Sequence, residues 1–237
     1  MPYFYYGYLS GDSLYSLSIM LLLVGVILSL VAQAKVNGNF KKYSLVGCSM
    51  NGAQAARRLL ELNGVSGVSI VKCQGNLTDR FDPRNNTIYL SENVYDTYSI
   101  AAVGIACHEA GHAVQYASGY APLKLRNAII PVTKFGSSLA MPLVLLGLVL
   151  SFYPLALLGV IFFGASLVFQ FITLPVEFNA SARAMDTIRD SFILTDEKEI
   201  SFVRKVLTSA ALTYVAAMLV SLANFLRLLA IVNNRKR

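Results

Sequence analysis

Charged residues are scarce in this chain. Asp, Glu, Lys and Arg make up 14% of its 237 residues, and hydrophobic residues make up 55%. Soluble globular domains typically carry about 25% charged residues. The composition therefore argues against a soluble globule and indicates an integral membrane protein.

Cysteine and histidine are also rare. The three cysteines, Cys48, Cys73 and Cys107, form no C-x-x-C pair, and the two histidines are His108 and His112. An odd and sparse set of cysteines predicts reduced thiols facing a cytoplasm. Cys107 precedes His108, but successive helical residues point in different directions, which favours a packing role for this thiol over metal binding.

Four apolar runs are long enough to cross a membrane, since about 20 helical residues span a hydrocarbon core of about 30 Å. They cover residues 14–34, 129–152, 155–174 and 206–232. We therefore expect a multi-pass protein in the lipid bilayer of the cell membrane.

The first run resembles a signal peptide because Ala32-Gln33-Ala34 has the form of a cleavage site. However, residues 1–13 contain no Lys or Arg, and Lys35, Lys41 and Lys42 follow the run instead. This order is typical of an uncleaved anchor helix.

The distribution of basic residues predicts the orientation. The net charge is +7, but the basic residues flank the apolar runs and form no stripe with interleaved aromatics, so we expect no nucleic-acid partner. Residues 35–134 carry 11 Lys and Arg and residues 175–205 carry five, against three in the tail, Arg235–Arg237. The first two regions are therefore predicted to face the cytoplasm.

An alternative topology places a fifth spanning helix at residues 98–121, which contain no Lys or Arg. The two histidines would then lie inside the bilayer, as the metal site does in site-2 proteases. Residues 175–205 would move to the opposite face, and the charge asymmetry would nearly vanish. The asymmetry thus favours four spanning helices.

These runs divide the chain into five segments. They are an anchor helix, a cytoplasm-facing domain, a transmembrane hairpin, a helical segment, and a last transmembrane helix with its basic tail, at residues 1–34, 35–128, 129–174, 175–205 and 206–237.

Local patterns within residues 35–128 predict a small α+β domain. Residues 51–62 read as a helix with an asparagine cap, and Asn63-Gly64 as its end. Residues 65–73 and 87–91 read as strands, with a turn at residues 82–86 between them. A short sheet therefore precedes the segment that contains the histidines.

The two histidines occur in the sequence HEAGH. Residues four apart stack on one face of a helix, so His108 and His112 can reach one metal ion. Glu109 lies about 100° round the helix, where it can reach a metal-bound water. Two neutral imidazoles suit zinc, which in catalytic sites takes three protein ligands and leaves one position for water. We expect one Zn²⁺ per chain.

The third ligand must be Asp, Glu or Cys, because no histidine remains. Glu177 is the main candidate: it follows Pro175, which can open a helix, and small residues around it and around the histidines would let two helices approach closely. Asp186 is the second candidate. A carboxylate that only stabilises a helix N-terminus is the structural alternative for Glu177.

Several segments resemble the bacterial membrane-bound neutral zinc metallopeptidase family. They are LTDRFDPR, SIAAVGIACHEAGHAVQYASGYAPLKLR, LPVEFNASARA and AALTYVAA. The HEAGH motif and the later glutamate are similar to those of gluzincins. LPVEFNASARA also resembles a segment of prenyl-protein and heat-shock membrane proteases in which the glutamate binds zinc, a role that maps onto Glu177. The implied fold is a mainly α-helical integral membrane protein, with four transmembrane helices and a small α+β zincin-like domain.

Two departures from these families concern the site. Ser181 occupies the place of an aspartate that supports a zinc-binding histidine, and a hydroxyl orients an imidazole less strongly than a carboxylate does. Arg80 and Phe81 replace a histidine and a tyrosine, so we expect no required ligand at that position.

The expected function is zinc-dependent hydrolysis of peptide bonds in a membrane-associated peptide or protein. Zinc would acidify its bound water and polarise the carbonyl, with Glu109 as general base. Arg183 and Tyr214 are candidates to stabilise the oxyanion. An extended substrate is expected to add to the strand at residues 87–91, unless that hairpin is purely structural.

The sequence is also compatible with two alternative functions. One is an intramembrane, site-2-type metalloprotease, and the other is a non-catalytic, zinc-stabilised membrane scaffold. A structural zinc site usually fills all four positions with protein ligands, which argues against the scaffold. The sequence assigns no oligomeric state.

Overall fold

The structure is a computed structural model that describes residues 11–190 and 193–234. Seven helices and three strands follow in the order α1 (Gly11–Tyr43), α2 (Gly52–Leu62), β1 (Ser69–Cys73), β2 (Arg80–Asp82), β3 (Thr87–Ser91), α3 (Glu92–Tyr95), α4 (Ile100–Ala117), α5 (Ala121–Val149), α6 (Tyr153–Asp190) and α7 (Glu197–Asn234). The prediction of a mainly helical protein with a small sheet is confirmed. The basic tail Arg235–Arg237 lies outside the described residues.

Four of these helices, α1, α5, α6 and α7, are long and apolar enough to cross a membrane. Between 11% and 28% of each apolar window is buried within the protein, so most of these side chains are available for contact with lipid. The four predicted runs are confirmed as spanning candidates. The helices extend beyond the runs, since α6 continues past Leu174 to Asp190 and α7 begins at Glu197.

The described residues belong to two compact units. The apolar unit comprises residues 1–31, 125–174 and 213–237, of which residues 1–10 and 235–237 are not described. The polar unit comprises residues 32–124 and 175–212. The candidate ligands His108, His112 and Glu177 therefore all lie in the polar unit.

In the apolar unit, α5 and α6 form a hairpin with glycine at its closest contacts. A Cβ atom added to Gly147 would lie 2.3 Å from the backbone nitrogen of Ala156. One added to Gly159 would lie 2.7 Å from the carbonyl oxygen of Ala140. Small residues permit such close approach between membrane helices, where van der Waals contact drives association.

In the polar unit, α2 begins as its sequence predicts. The Asn51 side chain accepts a hydrogen bond from the Gln54 backbone N–H (2.8 Å), and the Gln54 side chain accepts one from the Asn51 N–H (3.0 Å). This capping box satisfies two N–H groups that the helix leaves unpaired. Gly64, with φ of +66°, follows the end of α2.

The sheet has the order β1-β3-β2, with β1 parallel and β2 antiparallel to β3. β3, at residues 87–91, matches its prediction. However, it is the central strand and pairs on both sides, so the expectation that a substrate adds to residues 87–91 is wrong. The sequence patterns do not indicate β2, and its last residue, Asp82, lies in the segment where they predict a turn.

Helix α4 lies inside the polar unit. Its first five residues, Ile100–Gly104, are all buried, so this turn has no face left for solvent or lipid. It shares one hydrophobic core with α2, β3, the end of α6 and the start of α7, including the buried residues Leu59, Ile88, Ile188 and Val203. Helix α4 is not among the four spanning candidates.

Candidate metal centre

Helix α4 carries both histidines on one face. Its N-terminus is capped by the Ser99 hydroxyl, which accepts a hydrogen bond from the Ala102 N–H (3.2 Å), and Gly119, with φ of +68°, follows its end. The rings of His108 and His112 stand 4.8 Å apart at 80° to each other. The helical period thus brings the two imidazoles together, as the spacing predicts.

Helix α6 brings Glu177 to this face because α4 and α6 approach closely. A Cβ atom added to Gly111 would lie 2.6 Å from the carbonyl oxygen of Ala180, so this position in HEAGH admits only glycine without displacing α6. Ala110 and Ala113 beside it are also buried. The small residues therefore place a carboxylate on α6 within reach of the imidazoles on α4.

The three side chains aim their ligand atoms at one point. The Glu177 Oε2 atom lies 3.3 Å from His108 Nε2 and 3.5 Å from His112 Nε2, and all the ligand atoms lie within 4.8 Å of one another. The side chains are 15%, 9% and 3% exposed for His108, His112 and Glu177. Within the described ranges, this is the group of side chains that can hold a metal.

The two distances from Glu177 to the imidazole nitrogens fit a zinc ion. With Zn–N and Zn–O bonds of about 2.0–2.1 Å in tetrahedral geometry, two ligand atoms lie about 3.4 Å apart. The observed N···O distances, 3.3 and 3.5 Å, agree with that separation. They exceed the 2.7–2.9 Å that is typical of a charge-assisted hydrogen bond. The donor set of two imidazoles and one carboxylate is also one that catalytic zinc sites use.

The opposite nitrogen of each histidine has its own partner. His108 Nδ1 lies 3.1 Å from the Ser181 hydroxyl, and His112 Nδ1 lies 3.0 Å from the Gln115 amide oxygen. Ser181 thus takes the supporting position that its place in the sequence implies. The HEAGH motif assigns no role to Gln115. Its contact with His112 has no signal in a motif pattern.

Glu109 is buried next to the histidine pair, with 9% of its surface exposed. The pKa of its carboxyl is raised to about 7, mainly by burial and also by the carboxylates of Glu177 and Asp79, while His108 lowers it. A hydrogen bond with the backbone N–H of Phe81, on β2, favours the ionised form. Glu109 is therefore a carboxyl group whose charge depends strongly on its neighbours.

The other candidates lie outside the ligand group. Asp186 is exposed, and Cys107 is buried in the hydrophobic core, as a packing role predicts. Arg183 donates from Nε to Asn179 Oδ1 (2.9 Å). Tyr214 belongs to the apolar unit, and its role stays a prediction.

The LTDRFDPR segment contributes hydrogen bonds and ring contacts near the site. The Asp79 carboxylate accepts hydrogen bonds from the Ser91 N–H (2.8 Å) and hydroxyl (3.1 Å), while burial raises its pKa. The Arg80 guanidinium stacks 4.3 Å over the Tyr89 ring, and the Phe81 ring packs on Tyr116. Neither Arg80 nor Phe81 belongs to the ligand group, as their residue types predict.

Comparisons with known proteins give one family. A family model described as "Putative neutral zinc metallopeptidase" matches residues 18–233. The chain is similar to "Putative membrane protease YugP" of Bacillus subtilis (strain 168), with 47% identity over 221 residues, which are 92% of this chain and 97% of that protein. No solved structure matches the chain.

Proposed function

Because this chain belongs to the neutral zinc metallopeptidase family, we propose that it is a membrane-embedded zinc endopeptidase that cleaves membrane-associated or nearby proteins. The observation that carries the proposal is the convergence of His108, His112 and Glu177, with their ligand atoms within 4.8 Å of one another and Glu109 beside them. Four helices that are long and apolar enough to cross a membrane support the membrane location.

His108, His112 and Glu177 would hold the zinc ion through two imidazole nitrogens and one carboxylate oxygen. When bound, zinc supplies Lewis acidity, which acidifies a water molecule and polarises a carbonyl group. The Glu109 carboxylate accepts a proton from the attacking water. It then passes this proton to the nitrogen of the leaving amine as the C–N bond breaks. The products are a carboxylic acid and an amine.

The arrangement favours catalysis over a scaffold role. A structural zinc site closes all four positions with protein ligands, whereas three ligands converge among the side chains that the structure describes. Burying the Glu109 carboxyl group costs folding free energy. A role as general base explains why a carboxyl group occupies this buried position.

The first test is peptide hydrolysis with and without a chelator. The purified full chain in detergent should hydrolyse casein or a membrane-derived peptide, and removal of zinc should reduce the rate to that of a protein-free blank. Addition of Zn²⁺ should restore it. A hydrolysis rate that survives complete removal of metal, checked by elemental analysis, would contradict the proposal.

We also propose that the site opens on the cytoplasmic face and does not lie within the bilayer. Helix α4 is enclosed by the polar unit and is not a spanning candidate, which disfavours the site-2-type alternative. The prediction concerns Ser118, which is exposed just after α4. In a variant without native cysteines, Ser118→Cys should react with a membrane-impermeant maleimide in inverted vesicles.

Two controls test the orientation of the vesicles and the reactivity of the thiol. Right-side-out vesicles should leave the thiol unlabelled, and detergent should expose it in both preparations. Labelling only after detergent treatment would place the end of α4 inside the bilayer. Labelling in right-side-out vesicles alone would reverse the proposed orientation.

A further inference from the structure

Gln115 is fully buried and connects two of the three candidate ligands. Its amide oxygen lies 3.0 Å from His112 Nδ1. Its amide nitrogen donates to the backbone carbonyl of Val176 (2.8 Å) and to Asn179 Oδ1 (3.0 Å). Val176 directly precedes Glu177 on α6. One side chain therefore touches the ring of one ligand and the backbone beside another.

The orientation of the Gln115 amide follows from neighbouring groups that can act only as hydrogen-bond acceptors or only as donors. A backbone carbonyl can only accept, so the group that faces Val176 is the NH₂. The Arg183 Nε atom can only donate, which makes its partner on Asn179 an oxygen, and this oxygen also accepts from Gln115. Two independent contacts thus fix the Gln115 oxygen towards His112.

The tautomer of His112 follows in turn. The Gln115 oxygen has no proton to give, so His112 Nδ1 must be the donor in this contact and carries the hydrogen. In neutral imidazole the other nitrogen, Nε2, then has a free lone pair. That atom is the one 3.5 Å from Glu177 Oε2, on the side of the candidate metal centre.

We infer that Gln115 is a positioning residue for the metal centre: it holds His112 in the tautomer that offers Nε2 to a metal and ties α6 to α4 beside Glu177. The inference rests on the proposed metal site, but it does not need the peptidase reaction. Asn179 and Arg183 complete this hydrogen-bond network. Arg183 donates to the Asn179 oxygen that also accepts the second hydrogen bond from Gln115.

The partner of His108 provides a contrast. The Ser181 hydroxyl, 3.1 Å from His108 Nδ1, can donate or accept, so it accommodates either tautomer. The Gln115 oxygen that faces His112 can only accept. The tautomer of His112 is therefore fixed by its partner, whereas the tautomer of His108 is not.

The test measures zinc affinity of the full chain in detergent by competition with a chelator. Gln115→Met keeps the approximate volume but removes every hydrogen bond, and we expect affinity to fall by about 10- to 100-fold, the usual effect of losing a partner of a metal-bound histidine. Gln115→Glu keeps an acceptor for Nδ1–H, so its affinity should stay at least about tenfold above that of Gln115→Met.

A matched control separates positioning from loss of stability. Gln54→Met removes one of the two hydrogen bonds of the α2 capping box, at an exposed position in the same unit, and should lower the melting temperature without changing zinc affinity. Equal losses of affinity in Gln115→Glu and Gln115→Met would reduce Gln115 to a packing role and overturn the inference. Wild-type affinity in Gln115→Met would overturn it as well.

A second measurement needs no variant at position 115. The chain has two histidines, so ¹⁵N-histidine labelling with a tag that contains no histidine gives a spectrum of four ring nitrogens. In the zinc-loaded wild type, His112 should show a metal-bound Nε2 and a protonated Nδ1 that exchanges slowly with solvent. A His112 ring bound to zinc through Nδ1 would overturn the inference even if every variant fails to fold.

Discussion

Replacing Glu109 by Gln should abolish cleavage while the protein keeps its zinc. The amide cannot accept the proton of the attacking water, and loss of a general base typically lowers kcat by about 100- to 10,000-fold. The ligands His108, His112 and Glu177 are untouched, so zinc content should stay at one per chain. Hydrolysis rates and zinc content, measured on the same preparations, check both halves of this result.

Glu61→Gln is the control for this variant. Glu61 is an exposed residue of α2, and its ion pair with Arg58 is long, at 3.8 Å. Such exposed pairs contribute little, so this variant should keep wild-type activity and zinc. Full activity in Glu109→Gln would remove Glu109 from the mechanism. Loss of zinc in Glu109→Gln would instead show that its carboxylate supports the metal centre directly.

Replacing Glu177 by Gln should remove the metal. The substitution keeps the shape of the side chain, but it exchanges the anionic ligand that faces both Nε2 atoms for a neutral amide. Zinc affinity should fall by more than about 100-fold, since even partners outside the ligand set are worth about 10- to 100-fold. Chelator competition measures this loss, and cleavage should disappear with the zinc.

Asp186→Asn is the matched control because Asp186 is the second candidate ligand from the sequence and lies on the same helix as Glu177. It is exposed and lies outside the ligand group, so its replacement should leave zinc affinity unchanged. If Asp186→Asn lost zinc and Glu177→Gln retained it, the assignment of the third ligand would be reversed.

The sequence predicted those parts of the molecule that local rules determine. The four spanning candidates follow from length and apolar composition, and the helix at residues 52–62 follows from its asparagine cap. The face shared by His108 and His112 follows from the helical period. Glu177 could be found because the surrounding small residues mark a place where two helices meet, and the structure brings its carboxylate to both rings. The expectation that Pro175 opens a helix before Glu177 is wrong, because Pro175 lies inside the continuous helix α6.

The features that the sequence does not predict depend on contacts between residues that are distant in the chain. β2 is three residues long and overlaps a turn signal at Asp82, so nothing in its own sequence identifies it as a strand. The central position of β3 follows from pairing with β1 on one side and β2 on the other, which alternation within β3 cannot reveal. A strand pattern alone therefore does not show which edges stay free.

The role of Gln115 was missed for the same reason. Its partners Val176 and Asn179 lie 61 and 64 residues away in the chain. Spacing rules apply within one helix, whereas this contact depends on how closely α6 approaches α4 at Gly111. Motifs identify the groups that bind a metal more readily than the groups that orient them.

The most direct test of the metal centre is the anomalous diffraction signal at the zinc absorption edge from crystals of the full chain. We predict a single peak about 2.0–2.2 Å from Nε2 of His108, Nε2 of His112 and a carboxylate oxygen of Glu177. A peak that lies beyond bonding distance of Glu177, or one bound by a cysteine sulfur, would contradict the account.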